Sequence, residues 1–275
     1  MALFLLGAIA LVLIAGFAGQ PAWLAWRRRR VQQDVFPLSW RKHLRRRVRL
    51  VQRLPADLQL QLKKRMQVFI AEKTFIGCAD LEVTEEMRVV IAAQACLLIL
   101  NRPTDYFSHV RQILVYPGAF AVARAGTDWT GVLHERRLAL SGESWARGQV
   151  ILSWEDALQG AANPGDGHNV VIHEFAHQLD QENGDAHGAP PPLAGDTGHD
   201  AQRWASVFAA AYQQLRGQAR VGQEGLLNHY GAQDPAEFFA VVSESFFEQG
   251  AELKQEYPEL YRELSAYYKV DPAGW

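Results

Sequence analysis

Val170-Val171-Ile172-His173-Glu174-Phe175-Ala176-His177-Gln178-Leu179-Asp180 sets two imidazoles one helical turn apart with a carboxylate between them. On a helix, side chains at i and i+4 share a face about 6 Å apart along the axis, which lets both rings reach one zinc ion. Glu174 is turned about 100° from His173, so it can stand beside the ion and accept a proton from water instead of ligating. The apolar neighbours Val170, Val171, Ile172, Phe175, Ala176 and Leu179 predict a buried helix, the rigid support that a metal site requires. The pattern is the signature of a zinc peptidase.

A catalytic zinc takes three protein ligands and keeps a fourth position open. An extended HExxHxxGxxH pattern would need a glycine at position 180 and a histidine at position 183, where this chain has Asp180 and Asn183. A later helix can supply the third ligand instead. In Asp234-Pro235-Ala236-Glu237-Phe238-Phe239-Ala240-Val241-Val242-Ser243-Glu244, Asp234 suits a helix N-cap, Pro235 the first helical position, and Glu237 lies three after the cap. Glu237 could simply close a capping box. The helix is apolar on nearly every side, however, and a buried carboxylate requires a partner. Glu237 is therefore the candidate ligand, and Glu244, seven residues on along the same face, a supporting carboxylate. His187, His199 and His229 are rival ligands. Tyr230, seven residues before Glu237, is either a packing aromatic or a hydroxyl donor to a developing oxyanion.

With these residues the chain resembles the Mlc titration factor A family of zinc peptidases. The similarity runs through Ile113 to Pro117, Ser141 to Trp145 with Gly148, Val150 to Trp154, His173 to Asp185, Tyr230 with Asp234 to Phe247, Tyr257-Pro258 and Asp271-Pro272, about residues 50 to 275. The resemblance implies an α+β, zincin-like metallopeptidase domain, mostly helical with a small mixed sheet. It also implies His173, His177 and Glu237 as zinc ligands, Glu174 as general base, Tyr230 as transition-state donor and aminopeptidase-type activity. A transcriptional regulator enters as a possible partner, because the enteric members bind the glucose repressor Mlc. The tyrosine-to-glutamate spacing resembles the gluzincin-type site of the anthrax lethal factor catalytic domain. The departure is at the N-terminus, where this chain carries an apolar run and an arginine-rich stretch that the enteric members lack.

The net charge of −2 conceals an asymmetry. Ten of the 28 basic residues, Arg27 to Arg30, Arg41, Lys42, Arg45 to Arg47 and Arg49, precede position 50, together with Asp34 as the one acid. Residues 50 to 275 then carry 18 basic against 29 acidic groups, a net of −11, which argues against nucleic acid as a direct ligand. Cys78 and Cys96 form no CxxC pair or disulfide framework and read as helix-borne, buried thiols in a reducing compartment.

The run Ala2 to Ala18 holds 17 residues without a polar side chain, and with the segment through Trp26 it is long enough to cross a bilayer. No basic residue precedes it and Arg27 to Arg30 follow it, the reverse of a secretory signal. The positive-inside rule then predicts a single-pass anchor in the bacterial cytoplasmic membrane with the catalytic domain in the cytoplasm. The organisation read from the sequence is an N-terminal transmembrane helix (1–26), a basic juxtamembrane connector (27–54) and a peptidase domain (55–275). Helical periodicity marks 56–73, 84–100, 201–216, 235–249 and 258–268, while 113–116, 119–122, 132–140 and 150–154 read as strands. Val150 to Trp154 is read as either an edge strand beside a substrate or an interior strand, and the breaker-rich loop 183–198 as a cleft rim.

The reading is thus a membrane-tethered zinc metallopeptidase acting on peptide or protein substrates. The alternative is a binding module that sequesters a transcriptional repressor. An intramembrane protease is excluded, because Gln178, Asp180, Gln181, Glu182 and Asn183 follow the histidines too closely for a membrane-length apolar helix.

Overall fold

A computed structural model describes residues 2–118, 120–127, 133–140, 142–145, 148–184, 186–192 and 201–275; within 2–18 other than Phe4, in the strands between 119 and 147, and at Asn183, the description is of the backbone alone. In chain order the elements are α1 (Ala2–Gln33), α2 (Leu38–Arg47), α3 (Arg49–Arg53), α4 (Ala56–Glu72), β1 (Thr74–Gly77), α5 (Glu85–Leu97), β2 (Gln112–Tyr116), β3 (Phe120–Thr127), β4 (Leu133–Leu140), β5 (Gly142–Trp145), β6 (Gln149–Ser153), α6 (Trp154–Ala162), α7 (Val170–Asp180), α8 (Ala201–Val221), α9 (Pro235–Glu248), α10 (Gly250–Glu256) and α11 (Pro258–Tyr268). This is the expected mostly helical α+β domain with a small mixed sheet.

The helices begin where side chains can satisfy their free N–H groups. Thr84 Oγ1 accepts from Met87 N at 3.2 Å, and Glu85 and Glu86 place negative charge on the first turn of α5. Ser153, Asn169 and Asp234 cap α6, α7 and α9 in the same way. α5 and α9 are buried along most of their length and form the centre of the core. α7 lies against both, its Phe175 ring meeting those of Phe69 on α4 and Phe107 at centroid separations of 5.5 and 4.9 Å.

The main sheet has the order β1-β2-β6-β5, with β1, β2 and β6 parallel and β5 antiparallel to β6. Its interior strands carry apolar side chains in register, Ile113 opposite Val150 and Val115 opposite Leu152. Leaving β1, the chain turns back so tightly that a Cβ on Gly77 would stand 1.7 Å from the Leu81 carbonyl oxygen, which restricts that position to glycine. β3 and β4 form a separate antiparallel hairpin.

One open reading is decided and two expectations need correction. Of the two readings for residues 150–154, the interior one holds: β6 runs between β2 and β5, so the edges of the sheet are β1 and β5. The three residues between β5 and β6 permit only a hairpin, which adds β5 antiparallel on the outside. Cys78 is not helical. It follows β1, where its N–H bonds to Val115 O, whereas Cys96 is buried in α5 as expected. The helix expected to reach residue 100 ends at Leu97, the chain closing there in turns at Ile99 and Leu100.

At the N-terminus, α1 continues through Pro21 to Gln33. Among the described residues no helix is long and apolar enough to cross a membrane, and the apolar run 2–18 falls, Phe4 apart, on residues whose side chains lie outside the description. The spanning helix therefore has no support from the described residues. Arg28 fastens the distal half of α1 to α4: its Nε and Nη2 donate to the two Glu72 oxygens at 2.8 and 2.9 Å, and Nη2 also to Asp105 O at 2.7 Å. Residues 38–53 are α2 and α3, which turn Leu44, Leu50 and Val51 into the core with Val48 between them.

Candidate metal centre

The site forms where α7 and α9 cross. Asn169 begins α7, its Oδ1 accepting from Ile172 N at 3.1 Å, and the helix then presents His173 and His177 on the face turned toward α9. Asp234 begins α9, with Pro235 in the first position and the Asp234 carboxylate accepting from Glu237 N at 2.9 Å. The Glu237 carboxylate does not close a capping box. It reaches across instead, with Oε2 3.0 Å from His173 Nε2 and 3.5 Å from His177 Nε2, and the two Nε2 atoms stand 3.2 Å apart. Among the described residues this is the one group of three or more histidine, cysteine, aspartate or glutamate side chains able to hold a metal ion.

These separations test whether an ion fits. Donors bound tetrahedrally at ~2.0–2.1 Å lie about 3.3 Å from one another. The three observed values bracket that figure, so two imidazoles and a carboxylate already stand at the spacing one small divalent ion imposes. His177 is buried, while His173 and Glu237 retain partial exposure toward a solvent side.

Behind the site lies a layer of polar groups that fixes the rings. His173 Nδ1 lies 2.8 Å from Glu244 Oε1, and a bond donated there turns Nε2 toward Glu237, the nitrogen that would ligate an ion. Glu244 Oε2 accepts from Asn169 N. The Asn169 amide donates to Gln94 Oε1 at 2.8 Å and to Glu248 Oε1 at 2.9 Å. One buried asparagine thus caps the metal helix, positions the carboxylate behind His173 and bridges to both α5 and α9. Asn169, Gln94 and Glu248 were not singled out in the sequence; the signal for Asn169 was a cap-forming residue directly before the apolar helix.

Electrostatics follow from burial and these partners. Burial opposes charge on His173, but Glu244 and then Glu237 outweigh it and hold the ring well above the usual histidine range. Burial would raise Glu237, yet the two imidazoles pull it well below the carboxylate range. Glu248 goes the other way, pushed up to about 8 by burial, with Asp166 and Glu244 adding to the rise and the Asn169 bond only partly offsetting it. A proton on His173 and a bound cation would therefore compete for the same nitrogen.

Glu174 is buried on α7, and its charge acts on both His173 and Tyr230. Tyr230 lies in a short 3-10 turn (His229–Ala232) that Asn228 caps by accepting from Tyr230 N at 2.8 Å. Its ring centre is 5.9 Å from that of His173. Burial first, then Glu237 and Glu174, push the hydroxyl up to about 12, so it keeps its proton at neutral pH while remaining 42% exposed.

The rival histidines stand apart. His187 is exposed and pairs with Asp180 at 3.6 Å, His229 bonds to Gln223 O at 3.0 Å, and His199 lies outside the described residues. The loop leaving α7, whose residues 193–198 also lie outside the description, is clipped early. Buried Asp180 accepts from Gly188 N at 2.6 Å, and a Cβ on Gly188, at φ +76°, would meet Pro235 O at 2.2 Å. That close approach ties the loop to the first turn of α9, beside Glu237.

The chain matches the model of the glucose-regulated metallo-peptidase M90 family over residues 23–269, further toward the N-terminus than residue 50, where the resemblance in the sequence began. It is 41% identical over 265 residues to an uncharacterized protein of Synechocystis sp., covering 96% of this chain and 95% of that one. It is 35% identical to Mlc titration factor A of Serratia proteamaculans, covering 74% and 76% of the two chains. To Mlc titration factor A of Salmonella agona it is 32% identical, covering 82% and 83%.

Proposed function

The chain belongs to the glucose-regulated metallo-peptidase M90 family, and from that premise we propose that it is a zinc-dependent peptidase of aminopeptidase type, with His173, His177 and Glu237 as ligands. The observation that carries this reading is the convergence of three donor atoms, within 4.8 Å of one another, from His173, His177 and Glu237, with Glu174 next to His173 on the same helix. When bound, zinc supplies Lewis acidity that polarises a carbonyl and acidifies water. Glu174 takes a proton from the attacking water as its oxygen bonds to the peptide carbonyl carbon. The Tyr230 hydroxyl donates to the carbonyl oxygen as charge gathers there, a task its firmly held proton suits. Glu174 then passes the proton to the amine nitrogen as the C–N bond breaks. Glu244 and Asn169 keep the His173 ring aligned throughout. An extended substrate lies along β5, the sheet edge beside α7, adding its backbone as a further strand.

The test pairs Glu174→Gln with elemental analysis. The variant keeps one zinc per chain and loses turnover of unblocked peptides; turnover retained with zinc present removes Glu174 as the base. Acetylating the peptide amino terminus distinguishes exopeptidase from endopeptidase action.

A second reading is favoured by the name of the enteric relatives, Mlc titration factor A. In it the domain sequesters a transcriptional repressor and hydrolysis is secondary. Glu174→Gln then still binds the repressor. The apolar run 2–18 followed by Arg27 to Arg30 supports a single-pass anchor with the peptidase domain in the cytoplasm. Protease added to sealed inside-out vesicles should digest that domain, and protection of it removes the orientation.

A further inference from the structure

The exposed face of α2 is a charged surface that the peptidase reading leaves unused. Leu38, Arg41, Lys42, Arg45 and Arg46 recur at i, i+3, i+4, i+7 and i+8, so they form one stripe on the helix. All five are exposed, and together they line a surface concavity of about 490 Å³. The opposite face carries buried Leu44 and packs against α5. The acids within reach of α2 already serve that inner face: Glu86 pairs with Arg47, and Glu85 stands 3.6 Å from His43. None of the four basic side chains of the stripe has an acidic partner among the described residues.

Four unpaired cations surround a hollow that faces away from the core, and large apolar groups are exposed in the same quarter of the chain. Leu38 is 78% and Val35 85% exposed, and Trp23 and Trp26 on α1 are exposed with Arg27 and Arg30 over their rings. Cations beside exposed leucine, valine and tryptophan match the interface of a bilayer, where headgroup charge meets the first carbons of the chains. A nucleic-acid groove has no use for the aliphatic groups, and no aromatic side chain lies on the stripe for base stacking.

We propose that the outer face of α2 docks on anionic lipid headgroups of a negatively charged bilayer. Phosphate oxygens enter the hollow between Arg41, Lys42, Arg45 and Arg46, while Val35 and Leu38 rest in the interface. This contact is separate from any anchoring by α1. The apolar run of α1 is indifferent to headgroup charge, whereas the stripe responds to it.

The test uses the full chain with Ser39→Cys and Cys78→Ser, carrying a bimane label at position 39. The chain is diluted from detergent onto vesicles of phosphatidylcholine alone or mixed with phosphatidylglycerol, each containing a nitroxide-headgroup lipid. Quenching should be several-fold greater on the anionic vesicles, should fall at high salt, and should be lost when Arg41, Arg45 and Arg46 are all changed to glutamate. Association that does not depend on α1 should drop by about a hundredfold in that triple variant. Peptidase activity and circular dichroism should be unchanged. Equal quenching on both vesicle types, or quenching that survives the triple change, overturns the proposal. So does a bimane response to an RNA oligonucleotide or to self-association in place of vesicles. Flotation reads α1 independently. Binding to pure phosphatidylcholine without an anionic increment leaves the anchor and removes the stripe, whereas binding to anionic vesicles alone does the reverse.

Discussion

The α7–α9 crossing and the α2 stripe are both rich in charge, and they handle it in opposite ways. At the crossing Glu237, Glu244 and His173 are held among apolar helices, and each has a hydrogen-bond partner at a defined atom. On α2 four cations face solvent with no acidic partner. A buried charge without a partner costs several kcal/mol, so partners at the crossing are a condition of folding. An exposed arginine costs almost nothing, so the stripe can leave its charge uncommitted. Charge at the crossing is consumed in holding side chains still; charge on the stripe remains available to something outside the molecule.

The strongest way to break this contrast is to remove one of the proposed zinc ligands. His177→Ala should abolish zinc binding and lower peptidase activity by at least about a thousandfold, because metal and general base act as a unit. Full zinc stoichiometry in that variant would show that the ion lies elsewhere. Next in size is Asn169→Leu. It deletes a helix cap worth about 1 kcal/mol and leaves Glu248 and Gln94 short of polar contacts in a buried place, while the backbone N–H to Glu244 is kept. We expect a loss of about 3–5 kcal/mol in urea unfolding, together with weaker zinc binding. A loss below 1 kcal/mol would mean that the layer behind His173 is not the support described above.

How much of this was readable in the sequence depended on how local the determinant was. His173 and His177 are joined by one helical turn, so their shared face follows from the chain itself. Glu237 was readable because Asp234-Pro235 fixes where α9 begins, and Glu244 because seven residues return to the same face. The boundary at Pro258 was set by proline in the same way. What escaped depended on contacts distant in sequence. Gln94 meets Asn169 across 75 residues, and nothing near either residue signals it. Neither strand order nor the edge position of β5 follows from alternation within one segment, which is why residues 150–154 stayed open between edge and interior. In residues 38–53 the arginines hid a sparse apolar set, Leu44, Val48 and Val51, so nothing in this basic connector signalled which side of it packs on the core.

The crossing also carries a pH signature that the stripe lacks. Glu248 has its folded value pushed up to about 8, from an ordinary value of 4.5. Between those values the unfolded chain has released the proton while the folded chain retains it, so the folded state binds more protons there. Stability must then fall as pH rises from about 4.5 to about 8, and level off above. Glu248→Gln, which keeps an acceptor for Asn169, removes the titration. Relative to wild type it should gain about 2–4 kcal/mol on going from pH 5 to pH 8. Parallel stability curves for the two proteins would show that Glu248 is ionised in the fold.

The smallest expected effects make the sharpest comparison, since they set two arginines of the same N-terminal layer against each other. Arg28 gives both Glu72 oxygens a partner and reaches Asp105 O, in a contact whose side chains are 15% exposed on each side. Bidentate, partly buried pairs of this kind exceed ordinary surface pairs, so Arg28→Met should cost about 1–2 kcal/mol and loosen α1 from α4. The Arg45 side chain donates to nothing within the described residues; Gln52 bonds only to the Arg45 carbonyl. Arg45→Ser should therefore change stability by less than about 0.5 kcal/mol. Equal losses from the two would mean that the stripe contributes to folding after all. A large loss from Arg28 with none from Arg45 would locate the division between structural and uncommitted charge between α1 and α2, where sequence composition alone shows one arginine-rich N-terminal stretch.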